Sequence, residues 1–509
     1  MYRTRRLCKY EGSKLARNSI IIIGAGIAGL SAGCYGQMSG FSTRIFEMHS
    51  APGGLCTSWH RQGYTINGCL QWLVDTAPSS GFYRIWEELG AVQRIRFVNH
   101  EEFVRIEGVN GDTFIQYSNL DRLERQMLDI APEDEETIRK FINGARDYAQ
   151  VGTPIEDSKL HGAAYQSKVL TFKTLHEKWS RRTVGEFFSS IKSTKLRKII
   201  DQLWHPSVPA SFILMILSFL HRGEVGYPVG GSLEFSRAIE RRYMSLGGEV
   251  HHSSKVVKIL VENDRAFGVK LDDGSEYHAD YVISAADGHA TIFEMLGGRY
   301  TDSTVRSYYE CLPTFPPLLH IALGVNHSFE EVPPIANGIS FTLLEPIKVA
   351  GMELNRLGVV IFNFDPTLAP PGKTLVKVLL NSDYDYWERI HKCPDRYRSE
   401  KDQVANQIVA LLEKRFPGFE DHVEMRDVAT PITFHRYTGN WKGSYEGWLL
   451  TQESSGLQMS KTLPGLDNFY MAGQWVEPGG GVPTSAISGR SAIQIICNRE
   501  NIPFLTSVQ

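Results

Sequence analysis

The stretch Ser19–Gly33, SIIIIGAGIAGLSAG, constrains the fold more than any other part of the chain. Four consecutive isoleucines read as a strand covered on both faces, because a strand open to water on one side alternates apolar and polar residues. The run stops at Gly24-Ala25-Gly26-Ile27-Ala28-Gly29, LSAGCYGQMSG then reads as a helix, and STRIFEMH reads as a second strand ending at Glu47. That order is a β-α-β unit. Chance alone supplies Gly-x-Gly-x-x-Gly about 0.4 times in a chain with 46 glycines among 509 residues, so the strand before it and the helix after it carry the signal.

In such a unit Gly24 makes the turn, Gly26 lets a pyrophosphate reach the backbone, and Gly29 lets the helix pack close on the strand. Ile27 and Ala28 stand at the helix start, where unpaired N–H groups and about half a positive charge favour an anion. Glu47, with Met48 beside it, ends the next strand at the distance where a carboxylate accepts both hydroxyls of an adenosine ribose. The same carboxylate repels a 2′-phosphate and disfavours NADP.

A chain of 509 residues outgrows a single hydrophobic core, and two interwoven domains are expected. The formal net charge of -3 gives no field to gather nucleic acid. The seven cysteines are scattered and form no Cys-x-x-Cys pair, which points to a reduced, cytoplasmic setting without structural zinc. The longest apolar run, Val208 to Leu220, is too short to cross a bilayer. It reads as a core helix, with a lipophilic tunnel wall or a monotopic membrane contact as alternatives. Residues 1–18 carry Arg3, Arg5, Arg6, Lys9, Lys14 and Arg17 against Glu11 and lack a signal-peptide apolar region. They read as a solvated flexible tail, or as a lead that settles the protein on anionic lipid.

Residues 75 to 225 read as charged helices, and texture changes at Gly226 to a glycine loop, a helix and short strands with Asn-Asp and Asp-Gly turns. From about 310 to 435 the pattern predicts a mostly antiparallel sheet with helices, including one near 397–415. NFYMAGQWVEPGGGVPTSAISGRSAIQIIC then returns to strand, glycine loop and helix.

Several stretches together resemble the phytoene desaturase and carotenoid cis-trans isomerase family within the flavin amine-oxidase superfamily, from about Ser19 to Cys497. They are the first glycine motif with Glu47, the pair Gly53-Gly54, GYTINGC at 63–69, GYPVGGSLEFSRAIE at 226–240, SAAD at 284–287 and AGQWVEPGGGVPTSAISG at 472–489. The resemblance implies an α/β (α+β overall) chain: a discontinuous Rossmann-like FAD-binding domain (19–75, 226–300 and 436–509) and an interleaved substrate domain (76–225 and 301–435). It implies FAD, with Gly53-Gly54 bringing backbone N–H groups to the phosphates and ribityl chain, and Val256 pairing its backbone with the adenine. Leu55 stands where many members carry Arg, and Arg61 is the expected replacement. The loop Gly479-Gly480-Gly481-Val482-Pro483 opens the last helix and faces it towards the pyrimidine edge of the flavin, with Gly473 also counted among the cofactor-binding residues. Pro483 suits a first turn, where its missing N–H costs little.

The reaction implied is hydride transfer at flavin N5 to or from a hydrophobic polyene or isoprenoid-like molecule, as desaturation, saturation or isomerisation. Oxygen, a quinone or a nicotinamide would serve as redox partner. Glu477 is the expected polar group beside the flavin, with loop capping as its alternative role, and Trp475 or Tyr437 is expected to pack on the ring. Cys56, Cys69, Trp59 and Trp72 read as packing residues. Two other readings stay open: a lipid-binding escort of the GDP-dissociation-inhibitor type, and an amine oxidase.

Overall fold

A computed structural model of the chain describes residues 18–154, 163–451, 453–454 and 456–507; residues 1–17 of the basic tail lie outside the described residues. The first glycine motif folds as its sequence predicts. Strand β1 (Ser19–Ile23), helix α1 (Ile27–Met38) and strand β2 (Ser42–Phe46) form a β-α-β unit, with Ile20 opposite Thr43 and Ile23 opposite Phe46 in parallel register. Glu47 lies one residue past β2. β1 is the centre of a five-stranded parallel sheet, flanked by β2 and by Tyr281–Ser284, with Glu249–His251 and Phe469–Met471 at the edges. The four isoleucines are buried, the burial on both faces that an unalternated run implies.

α1 is buried almost all round and crosses the C-terminal helix α2 (Val482–Glu500). Missing side chains make the crossing possible. A Cβ on Gly489 would strike the Ala28 carbonyl oxygen and come within 2.9 Å of the Ala32 amide.

The glycine-rich segment after Glu47 leads into a hairpin, β3 (Ser58–Arg61) and β4 (Tyr64–Asn67), closed at Gln62-Gly63, both with positive φ, as a two-residue hairpin turn requires. The second large sheet has seven strands in the spatial order Val423–Ala429, β5 (Leu318–Val325), β6 (Thr374–Asn381), Met352–Ile361, Ile339–Val349, Glu102–Glu107, Thr113–Tyr117. It is antiparallel except where Glu102–Glu107 lies parallel to Ile339–Val349.

Those last two strands correct the expectation that residues 75–225 are helical. EEFVRIE and TFIQY carry a short hairpin pattern around Asn110-Gly111, overshadowed by the long charged helices after it. The apolar run forms a helix at Ala210–His221, packed on the helices Glu135–Val151 and Ala163–Ser180; most of its apolar side chains lie in the core, with Phe212 exposed. Among the described residues, no helix is long and apolar enough to cross a membrane.

Candidate functional site

The residues directly following four of the five parallel strands converge: Gly24 after β1, Glu47 after β2, Ala285 after Tyr281–Ser284 and Ala472 after Phe469–Met471 all line one cavity of about 890 Å³. This end of an open parallel sheet is where ligands bind in α/β folds. α1 begins there at Gly26, with no side-chain cap and no acid in its first turn, so its terminal N–H groups remain available to an anion.

The cradle is built of backbone. Gly53 N–H donates to the Ala25 carbonyl at 2.9 Å, and a Cβ on Gly54 would lie 3.5 Å from Gly26 Cα. Gly26 itself faces open space: a Cβ there would meet only the Gly53 oxygen, at 3.9 Å. Its φ of -67° suits any residue, so glycine is required here by what occupies the space rather than by backbone conformation. Gly29 is different, because its Cβ would collide with the Gly24 carbonyl oxygen.

Glu47 is 5 % exposed. Its Oε2 accepts from the Ala25 amide at 2.6 Å and its Oε1 from the His49 amide at 2.8 Å. Burial raises its carboxyl above the usual range, and the two N–H groups oppose that shift. A carboxylate offers about four lone-pair directions, which leaves two for ribose hydroxyls. Val256, buried at the start of the strand Val256–Glu262, also lines the cavity. At the opposite wall α2 starts from Gly481, whose φ of 91° belongs to glycine, with Pro483 in the first turn and no side-chain cap. These glycine cradles, the second uncapped helix start and the buried carboxylate fit a flavin dinucleotide.

The cavity thus brings together Gly24, Gly26, Ile27, Ala28, Glu47, Met48, Gly53, Gly54, Leu55, Val256, Gly473, Gly481, Val482, Pro483, Tyr437 and Trp475. Gly29 and Gly480 stand behind the wall, where a Cβ on Gly480 would strike the Glu446 backbone oxygen. Glu477 does not reach the cavity: its carboxylate is paired with the Lys461 ammonium, which also donates to Ser488 Oγ at 3.1 Å. Glu477→Gln is therefore expected to retain bound flavin and turnover. It should lower Tm by a few degrees, since Lys461 is 9 % exposed and losing a charged partner costs about 1–2 kcal/mol; thermal melts and flavin absorbance check this.

Trp475 touches the cavity as part of a packed aromatic group, 5.1 Å from Trp448 edge to face, with its Nε1–H donated to Asn440 Oδ1 at 3.2 Å. Tyr437 is exposed, its ring edge-on to His49 at 5.2 Å and under the Arg436 guanidinium. Arg61 does not replace the missing arginine, because it pairs with Asp427 at 3.1 Å, away from the cavity.

Sequence reasoning missed several buried ionisable groups in and around the cavity. Burial pushes the Glu446 carboxyl up to about 8, which favours its protonated form. Its Oε1 lies 3.4 Å from where a Cβ on Gly481 would stand, placing it at the start of α2 within the cavity. No periodicity or motif marks Glu446 in GSYEGW. β5 and β6 carry His320 and Lys377 inward, both fully buried, and both approach the Asn67 carbonyl: Nε2 of His320 at 3.2 Å and the Lys377 ammonium at 3.3 Å. Burial lowers Lys377 to about 7 and His320 to about 3. Asp287 of the SAAD segment accepts from the Ala290 and Trp441 amides at 2.7 and 2.8 Å, tying that segment to the loop that carries Asn440. No cluster of metal ligands occurs among the described residues.

A family model described as flavin containing amine oxidoreductase matches residues 27–497. The chain is 25 % identical to prolycopene isomerase 1 of an Oncidium hybrid cultivar, covering 92 % of this chain and 82 % of that one. It is 24 % identical to a lycopene-forming phytoene desaturase of a Paracoccus species, covering 94 % and 97 %. Among solved structures, an oxidoreductase from Methanosarcina mazei superposes with a TM-score of 0.59 at 19 % identity, covering 94 % of this chain and all of that one.

Proposed function

The chain belongs to the flavin containing amine oxidoreductase family, and from that premise we propose that it is an FAD-dependent oxidoreductase acting on C–C or C=C bonds of a hydrophobic polyene or isoprenoid-like substrate. The observation that carries this reading is the composition of the cavity, whose wall combines a backbone cradle for phosphates with Leu70, Trp72, Leu73 and Val74 and with Glu446. The relatives named for polyene desaturation and isomerisation support the substrate class. Burial of apolar chain gains about 0.8 kcal/mol per CH₂, so such a substrate needs no charged anchor.

When bound, FAD supplies hydride acceptance or donation at N5 of its ring. Gly26, Gly53 and Gly54 would admit its pyrophosphate, α1 would direct its positive end at that group, and Glu47 would accept from the ribose hydroxyls. The uncapped start of α2 would present a second positive helix end to the flavin end of the cofactor and would favour negative charge there. Glu446, its carboxyl pushed up by burial, would be the group to give or take a proton at a substrate carbon neighbouring the flavin. The sheet holding β1 and its helices serves as the cofactor half, and the seven-stranded sheet as the substrate half.

The test is to add apolar host metabolites anaerobically to the holoprotein, oxidised in one arm and reduced in the other, and follow them by mass and chromatographic isomer. The expected result is a polyene or isoprenoid that changes by two hydrogens or shifts isomer at constant mass. If only amines alter the flavin absorbance and no apolar molecule changes, the proposal is wrong.

A further inference from the structure

Two cysteines that read as packing residues meet in the cavity wall. β3 and β4 run antiparallel with Ser58 opposite Asn67, and the Gly68 amide donates to the Thr57 carbonyl at 3.0 Å. One step farther along that register sets Cys56 opposite Cys69. Both line the cavity, neither is in a disulfide, and the Cys56 thiol donates to the Ser232 carbonyl at 3.7 Å. Cys56 follows the Gly53-Gly54 cradle at a distance of two residues, so the pair flanks the path of the dinucleotide. Directly opposed residues on antiparallel strands have Cβ atoms about 4.5–5.5 Å apart, and a disulfide needs about 3.8 Å. Closing the pair takes a contraction on the order of 1 Å.

The surroundings favour one thiolate of the two. Cys69 is held below the usual thiol range by the Cys56 thiol, with the Lys377 charge and the Tyr445 hydroxyl acting in the same direction. That asymmetry, an ionisable thiol beside a protonated one, is the condition under which a thiol pair closes and reopens.

We propose that Cys56 and Cys69 are a reversible dithiol–disulfide couple that exchanges electrons with the bound FAD. On oxidation two S–H bonds are lost and one S–S bond forms, with two electrons and two protons passing to oxidised FAD; in the other direction reduced FAD returns them and the disulfide opens. The couple gives the site a place for a second electron pair. The proposal rests on the cavity holding FAD and is independent of the substrate reading, which can fail without affecting it.

The first test uses wild-type holoprotein treated anaerobically with diamide, which takes up the two hydrogens, then quenched in acid, unfolded, alkylated and digested. Trypsin cuts after Arg61 and separates Ile45–Arg61 from Gln62–Arg84, each with one cysteine. The expected result is these two peptides linked by a disulfide; recovery of both cysteines alkylated overturns the proposal. The second test titrates the diamide-treated, reagent-free holoprotein with dithionite. Wild type should consume about four electrons per FAD before bleaching is complete, against about two for Cys69→Ser and Cys56→Ser. Wild type bleached fully by two electrons overturns the proposal. Both wild-type readings stand without the variants, should either serine chain lose its flavin.

Discussion

Gly26→Val should yield a folded, colourless protein. The Cβ position at Gly26 meets nothing closer than the Gly53 oxygen at 3.9 Å, and its φ of -67° accepts a side chain. The valine therefore costs the flavin-free fold little and fills the space where the pyrophosphate lies. FAD affinity should fall at least about a hundredfold, or roughly 2.7 kcal/mol, while Tm of the flavin-free chain stays within about 2 °C. Gly29→Val is the contrast, because its side chain runs into the Gly24 carbonyl at the β1–α1 turn; insoluble or unfolded protein is expected. Flavin absorbance and thermal melts of the two variants separate the glycine that makes room for a ligand from the one that makes room for packing. A Gly26→Val protein that remains yellow would refute the assignment of that space.

Glu446→Gln should lower turnover by about 10²–10⁴-fold with FAD still bound, the usual effect of losing a positioned proton donor. The pH profile is the sharper measurement. With its carboxyl at about 8, the wild-type proton donor is lost above that pH, and turnover in the protonating direction should fall there; the glutamine variant should lack that limb. Stability carries the same signature. Both states are protonated below the ordinary carboxyl range. As pH rises the unfolded chain ionises first, so stability is lost progressively up to about 8. Glu47 and Asp287 are also raised by burial, so the difference between wild type and Glu446→Gln, read as Tm against pH, isolates the contribution of Glu446. Identical slopes would mean that Glu446 is ionised in the native protein.

The β-α-β unit and the backbone cradle were legible because each is written in a few adjacent residues: an unalternated apolar run, glycines at a helix start, an acid after the next strand. The strands Glu102–Glu107 and Thr113–Tyr117 were not, since a short hairpin between long charged helices has too few residues to establish its period, and its place beside Ile339–Val349 is set by pairing across more than two hundred residues. Glu477 shows the converse error. Its position before the glycine loop suggested a place beside the flavin, yet Lys461, sixteen residues earlier, draws its carboxylate out of the cavity.

By itself, the order of residues determined that a dinucleotide cradle would form and where its backbone would be bare, because turn geometry and helix starts depend on neighbours along the chain. Only the tertiary structure decided which side chains meet in and around the flavin site: Glu446 against Gly481 and Cys56 near Cys69 in the cavity wall, and Lys377 and His320 over the Asn67 carbonyl behind it. The meeting at Asn67 joins parts of the chain more than two hundred residues apart, and the other two depend on how loops fold back on each other, so none of them leaves a local periodicity to read.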